Sequence, residues 1–469
     1  MLDPSVLIDY VTRQRWYGSK SRAVVDAQAL DMVEIRSTEP TLWLALVELR
    51  YDTGVHDLYQ LLFSSTGDKV RVDGLAEQPA LARELVSAMR AGLTVQGGEG
   101  MLEFRPAADF SGLAQELDAV RLISSEQSNT SVVFGDALIL KLFRRVEPGI
   151  NPELEMLRFL SERAFPNVPA LGGWYSYSGG PLAATLGLLQ QFVPDGEDGW
   201  ELALDEIGEA PEQFLDRLGR LGEVTGQLHT ALGSDASDPA FAPEEPSPEA
   251  LGLLTARVDD EIARVFLDLP EGDERLEPIA GRGEEVREQL RQLTHAGSVG
   301  RIIRTHGDYH LGQTLVVDSR LEASPGDPAM LGRVNPGAQA RQWDWAILDF
   351  EGEPARPLAE RRRKQSPLRD VASMLRSFAY AASAARVVRG LDVAADWEER
   401  ARERFLSSYL DAVDPTLIPA GQPAIERMLA VFELEKAVYE LRYELDNRPD
   451  WVAIPVAGIQ RLIETAAAA

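Results

Sequence analysis

His306-Gly-Asp-Tyr-His-Leu-Gly-Gln313, running into Thr314-Leu-Val-Val317, and later Trp343-Asp-Trp-Ala-Ile-Leu-Asp-Phe-Glu-Gly-Glu-Pro354, are the stretches that decide the fold. The first is a polar turn that carries a carboxylate, Asp308, five residues before an amide, Gln313, and leads into a strand-like apolar run. The second runs as a strand over 346–349 and ends on a further carboxylate, Asp349. A polar turn and a second carboxylate thus stand at the ends of two apolar strands, where a sheet can present both to one site.

Outward from these motifs, long helical patterns dominate from about residue 200, interrupted by a Pro/Glu/Ser stretch at 238–248 and a Gly/Pro-rich insert at 324–338. Upstream, Val132-Val-Phe134, a Gly135-Asp136 turn and Leu138-Ile-Leu-Lys-Leu-Phe143 read as a hairpin. Pro148-Gly149 breaks the chain before a helix that starts near Pro152, and a strand over 186–193 stops at Pro194-Asp-Gly. Residues 1–100 alternate strand-like runs (42–47 and 58–63) with a segment in which Leu81, Leu85 and Met89 recur at fours, as a one-sided helix requires. The expected fold class is α+β. Its parts are an N-terminal subdomain over 1–100, a hairpin, helix and strand unit over 101–198, and a mainly helical lobe over 199–469. No internal repeat is present.

Composition narrows the possibilities. The 469 residues are 45% hydrophobic, ample for real cores. A formal charge of −28 would repel a phosphate backbone, so nucleic acid is not an expected partner. Cysteine is absent, which removes disulfides, thiolate metal sites and thiol catalysis and is compatible with a reducing, cytoplasmic setting. Met1-Leu-Asp-Pro lacks the basic and apolar pattern of a signal peptide, and Leu42-Trp-Leu-Ala-Leu-Val47 is far shorter than a bilayer span of roughly 20 residues, so no membrane segment is expected. Neither a G-x-x-x-x-G-K-[ST] loop nor a G-x-G-x-x-G occurs.

Several residues are candidates for chemistry. Protein kinases use an H-x-D-x-x-x-x-N loop for a base and one metal ligand, with an Asp at a nearby strand end for the other. His306 to Gln313 keeps that spacing with Gln in place of Asn. Asp349 with Asp308 then suits Mg²⁺, which takes one or two carboxylates plus substrate phosphates. The same turn spells H-x-D-x-H, a less favoured zinc spacing. Lysine is rare, with five against forty-seven basic residues in all. Lys141 sits mid-strand, either aimed at nucleotide phosphates and locked by a helix carboxylate, Glu155, or snorkelling from an edge. The polar run over 124–131 precedes the hairpin, where its backbone can cover phosphates or simply turn. Near the C-terminus Leu434, Val438, Leu441 and Leu445 form an apolar stripe. Lys436, Glu440, Tyr443 and Asn447 form a polar one, which is either a solvated face or, with Trp451 after it, a sugar-binding wall.

Together these motifs resemble the actinobacterial maltokinases, within the aminoglycoside-phosphotransferase and eukaryotic-like kinase group. The likeness runs over nearly the whole chain, from Arg13-Gln-Arg-Trp-Tyr17 through Glu126-Gln-Ser-Asn-Thr-Ser131 and Glu147-Pro-Gly-Ile-Asn-Pro152 to Asn447-Arg-Pro-Asp-Trp451. The resemblance implies a bilobal protein-kinase-like fold with an N-terminal cap, and ATP-dependent phosphorylation of maltose to maltose 1-phosphate that feeds α-glucan synthesis. By it Asp308 is the catalytic base, and Gln313 and Asp349 hold Mg²⁺. Lys141 holds ATP phosphates beneath Gln127, Ser128 and Asn129, and Lys436, Tyr439, Glu440 and Tyr443 face maltose. A complex with trehalose synthase belongs to the same expectation. The insert at 318–342 is longer than the family leads one to expect, and its Pro/Gly content suggests a surface hairpin. Phosphorylation of glucosamine by a related family, and a silent kinase fold acting as a binding module, are the alternatives.

Overall fold

The computed structural model describes residues 3–107, 117, 119–123, 129–180, 182–294, 300–318, 343–354 and 356–467. Gln127, Ser128 and nearly all of the 318–342 insert lie outside the described residues. The chain forms two compact units, one built mainly from residues up to Gly196, the other from Glu197–Val317, Trp343–Glu353 and Arg361 onward.

The first unit is built on two antiparallel sheets. One runs Val24–Arg36, Thr41–Tyr51, His56–Thr66 and Arg145–Val146, with Lys69–Arg71 also paired to His56–Thr66. Thr41–Tyr51 is apolar almost throughout because both of its faces are covered. Ala45, Val47, Leu49 and Tyr51 pack in one cluster with Leu7 and Val11 of the helix Pro4–Thr12. Leu42, Leu44 and Leu46, pointing the other way, pack with Leu85 and Met89 of the helix Ala82–Ala91. The fours spacing of those residues therefore does mark a buried helix face.

Among the described residues the second sheet has seven strands, in the order Thr94–Gln96, Met101–Pro106, Leu171–Gly179, Leu182–Gln191, Leu138–Leu142, Thr130–Phe134 and Val120–Ile123. Its hairpin turns at Gly135, whose φ of +56° is cheap only for glycine. Gln60, fully buried, ties the first sheet to the second: its amide nitrogen donates to Phe143 O at 2.8 Å and to Leu186 O, and its oxygen accepts the Tyr175 hydroxyl at 2.9 Å.

The second unit is mainly helical, as expected. Val258 and Ile262 of the helix Pro248–Leu267 pack against Leu434, Val438 and Leu441 of the helix Gln422–Asn447, and Val456 and Ile459 of Ala453–Ala467 close the cluster. Three short strands, Glu197–Asp198, Thr314–Asp318 and Trp343–Ile347, form its sheet. The last of them stops two residues before Asp349, where the sequence had suggested a strand that ends on the carboxylate. Asp349 instead takes a left-handed φ of 62°, a conformation that excludes it from the strand ladder.

Candidate active site

The turn His306–Gln313 is fastened from several sides within the second unit. Asp370, on the helix Leu368–Val387, accepts from the His306 amide at 2.7 Å, the Gly307 amide at 3.0 Å and His229 Nε2 at 3.2 Å. Burial works against its ionisation, but the bonds from His229 and the Gly307 amide hold its pKa below the usual aspartate value. His229 in turn accepts the Tyr409 hydroxyl at 3.1 Å through Nδ1. His306 donates from Nε2 to Leu348 O at 2.7 Å and accepts the Asp308 amide on Nδ1 at 3.3 Å. His310 Nδ1 accepts the Gly312 amide at 3.1 Å, and burial with the nearby Lys436 charge lowers its pKa, which keeps the ring neutral. Both ring nitrogens of His306, and Nδ1 of His310, are thus engaged in bracing the loop. Gly307 has a φ of +84°, and a Cβ there would stand 3.3 Å from the Gly352 Cα, so the two carboxylate-bearing turns pass too closely for a side chain.

Gln313 Nε2 lies 3.3 Å from Asp349 Oδ2. A carboxylate and a carboxamide in contact, the latter one flip from presenting its oxygen, make an oxygen donor pair of the kind a hard cation takes. The donor set therefore fits the expected Mg²⁺. Lys436 Nζ stands 3.2 Å from Glu353 Oε1 and 3.7 Å from Asp308 Oδ1. Burial disfavours its charge, yet Glu353, Asp308 and Glu440 together raise its pKa above the ordinary lysine value, so it stays protonated.

A cavity of about 400 Å³ opens beside Asp308 and is lined also by Lys436, Tyr439, Glu440, Tyr443 and Glu444, a size typical of small-ligand sites. The polar stripe is therefore not a plain solvated face. Glu440 is 8% exposed and bound to Arg376 at 2.8 Å. Asn447 departs from the expectation: it is exposed, its amide donates to Tyr443 O at 2.9 Å, and it does not line the cavity. Trp451 stacks on Tyr380, ring centroids 6.1 Å apart and planes at 18°.

In the first unit Lys141 Nζ makes a buried ion pair of 2.7 Å with Glu153 Oε1. The sequence had pointed to Glu155, and the correction is one of helical phase. Asn151 caps the helix Pro152–Glu162 by accepting the Glu153 amide at 2.8 Å, which sets Glu153 toward Lys141, while Glu155 stands two residues on, about 200° round the helix axis. Asn129 sits at the bend directly before the strand Thr130–Phe134. Sequence reasoning also missed Asp370, His229 and Arg376, none of which stands in a recognisable motif, and Arg448, which lies within a quoted motif but had no role. Glu353 was within a quoted motif but had no role.

Residues 119–330 match the model of the phosphotransferase enzyme family, and residues 10–92 match the maltokinase N-terminal cap domain. The chain therefore carries a phosphotransferase-family domain behind a maltokinase-type cap. The pairing of a maltokinase cap with a phosphotransferase domain is that of a sugar kinase. A glucosamine kinase of Streptacidiphilus jiangxiensis is 26% identical over 398 residues, 81% of each chain. One of Mycolicibacterium smegmatis is 26% identical over 76% of this chain and 82% of its own. Among solved structures, a glucosamine kinase in complex with glucosamine, ADP and inorganic phosphate superposes with a TM-score of 0.68 at 20% identity, covering 97% of this chain and 98% of the other. The phosphotransferase fold, capped and helical toward the C-terminus, is common to both. No helix among the described residues is long and apolar enough to cross a membrane.

Proposed function

We propose that this phosphotransferase transfers the γ-phosphoryl group of ATP to the anomeric hydroxyl of maltose, giving maltose 1-phosphate and ADP for α-glucan synthesis. The observation that supports this reading is the cavity beside Asp308, whose wall offers three tyrosines, a lysine and glutamates held in ion pairs. Such a wall suits the hydroxyls of an uncharged sugar. Asp308 takes the proton of the anomeric hydroxyl as that oxygen forms its bond to the γ-phosphorus, and the bond from phosphorus to the ADP oxygen breaks. Lys436, between Asp308 and Glu353, holds the base in place. Lys141, locked by Glu153, is assigned to the ATP phosphates. Gln313 and Asp349 would hold Mg²⁺, which neutralises phosphate charge when bound.

Glucosamine is the second reading, favoured by the names of the two curated relatives. An assay of ADP release with maltose and glucosamine side by side separates the two. Maltose is expected to be used with a kcat/KM at least about tenfold higher, and the same assay on Asp308→Asn should show kcat lower by about 10²-fold. Turnover of glucosamine but not maltose would overturn the substrate assignment, and an unimpaired Asp308→Asn would overturn the base.

A further inference from the structure

Three carboxylates line the cavity, Asp308, Glu440 and Glu444, and unbalanced they would make it a cation trap. Each is balanced by a partner of its own. Glu440 receives two bonds from Arg376 on one oxygen, Oε2, through Nε at 3.0 Å and Nη2 at 2.8 Å. Among the described residues its Oε1 takes no bond from Arg376. Glu444, its side chain 1% exposed, takes Arg448 on both oxygens and the Tyr380 hydroxyl at 3.1 Å. Asp308 has Lys436 at 3.7 Å.

The two arginines are held in place, not draped over the surface. A Cβ on Gly458 would come within 2.2 Å of Arg376 Nη1, so the helix backbone closes on the guanidinium. The Arg448 guanidinium carbon lies 5.4 Å from the Tyr443 ring centroid and 5.0 Å from that of Trp451, so it keeps its fork on Glu444 by contact with two aromatic rings.

We propose that Arg376 and Arg448 determine which sugars this cavity accepts: by clamping Glu440 and Glu444 they make its wall select uncharged sugars and turn away aminosugars. The inference rests on the proposed reading that the cavity receives the sugar. A hydroxyl can donate to Glu440 Oε1 or accept from Arg448 without disturbing either pair. An ammonium would have to sit beside a guanidinium or displace it, and that penalty falls on the competitor alone. If Arg448 is removed, Glu444 keeps a buried, unpaired charge, the state in which a carboxylate gains most from a new cation. The ammonium of glucosamine is such a cation. Arg376 and Arg448 act on the sugar through the glutamates, so they are positioning residues.

The test compares wild type, Arg448→Gln and the double variant Arg448→Gln/Glu444→Gln in the ADP-release assay with maltose and with glucosamine, melting temperatures being measured in parallel. Arg448→Gln should raise the ratio of kcat/KM for glucosamine to that for maltose by about tenfold or more. The double variant should lose that gain, because the freed carboxylate is gone. A purely structural role would lower both activities together and leave the ratio alone. Arg448 is 46% exposed along its side chain, so its loss opens no core. Should Arg448→Gln fail to fold, Arg448→Lys, which keeps a charge but loses the fork, should shift the ratio in the same direction by less. An unchanged ratio in a folded Arg448 variant that still uses maltose overturns the selectivity role alone. A wild type that uses neither sugar, or prefers glucosamine, overturns the proposed function and this inference with it.

Discussion

Asp370 shows how one buried carboxylate can set a catalytic turn. It accepts three bonds, two of them from consecutive amides of the turn that carries Asp308, so it fixes the backbone just ahead of the proposed base. Its pKa is lowered in the folded chain. A depressed pKa means that its contribution is complete above the unfolded value and is lost as pH falls through the folded one. Asp370→Asn should therefore cost roughly 3 kcal/mol of stability near neutral pH, and the gap to wild type should narrow as pH falls from about 5 into the acid range below the unfolded value of about 4. Urea denaturation across that range measures it, and a gap independent of pH would show that the carboxylate is not the ionised brace described. Asp370 was not legible in the sequence: it is a lone acid in an alanine-rich helix, more than sixty residues from the turn it holds. Asp308 and Gln313 drew attention because their spacing is local and needs no third residue to be recognised.

Elements were legible where their signal is periodic. The hairpin around Gly135, the helix carrying Leu85 and Met89 and the apolar stripe of the helix Gln422–Asn447 can all be read from spacing. What spacing hides is the polar side of that last helix. Glu433, Glu440 and Glu444 are buried against Arg402, Arg376 and Arg448, and two of these partners lie on other helices, which no local pattern records. Helical phase at a cap is similarly hidden, and it separates Glu153 from Glu155. Asn151 fixes that phase by accepting the Glu153 amide, for which an Ala side chain offers no acceptor, so Asn151→Ala should destabilise the chain by about 1 kcal/mol. Since the cap also aims Glu153 at Lys141, the same variant should raise KM for ATP more than KM for the sugar. Equal changes in the two would separate the Lys141 pair from the nucleotide.

For the molecule as a whole, charge is the simplest lever. A formal −28 spread over 469 residues repels itself in the folded chain. Salt of about 0.5 M shortens the screening length to a few ångströms and should raise the melting temperature by roughly 3 °C. A fall would mean that the many exposed arginine–carboxylate pairs outweigh the net repulsion. Composition could indicate the sign of this effect but not the arrangement that meets it, since the pairs form between residues far apart in the chain. Gln60 carries a consequence of another kind. Its carboxamide closes hydrogen bonds to backbone carbonyls at Phe143 and Leu186 and to the hydroxyl of Tyr175, and the strand that bears it pairs with Arg145–Val146. A gene that lost the segment encoding residues 10–92 would leave those acceptors and a strand edge without partners inside an otherwise finished sheet. Head and kinase therefore share one hydrogen-bonded seam, and a recombination boundary near residue 92 is expected to give a product that aggregates rather than a smaller enzyme, which the solubility of residues 93–469 expressed alone would check.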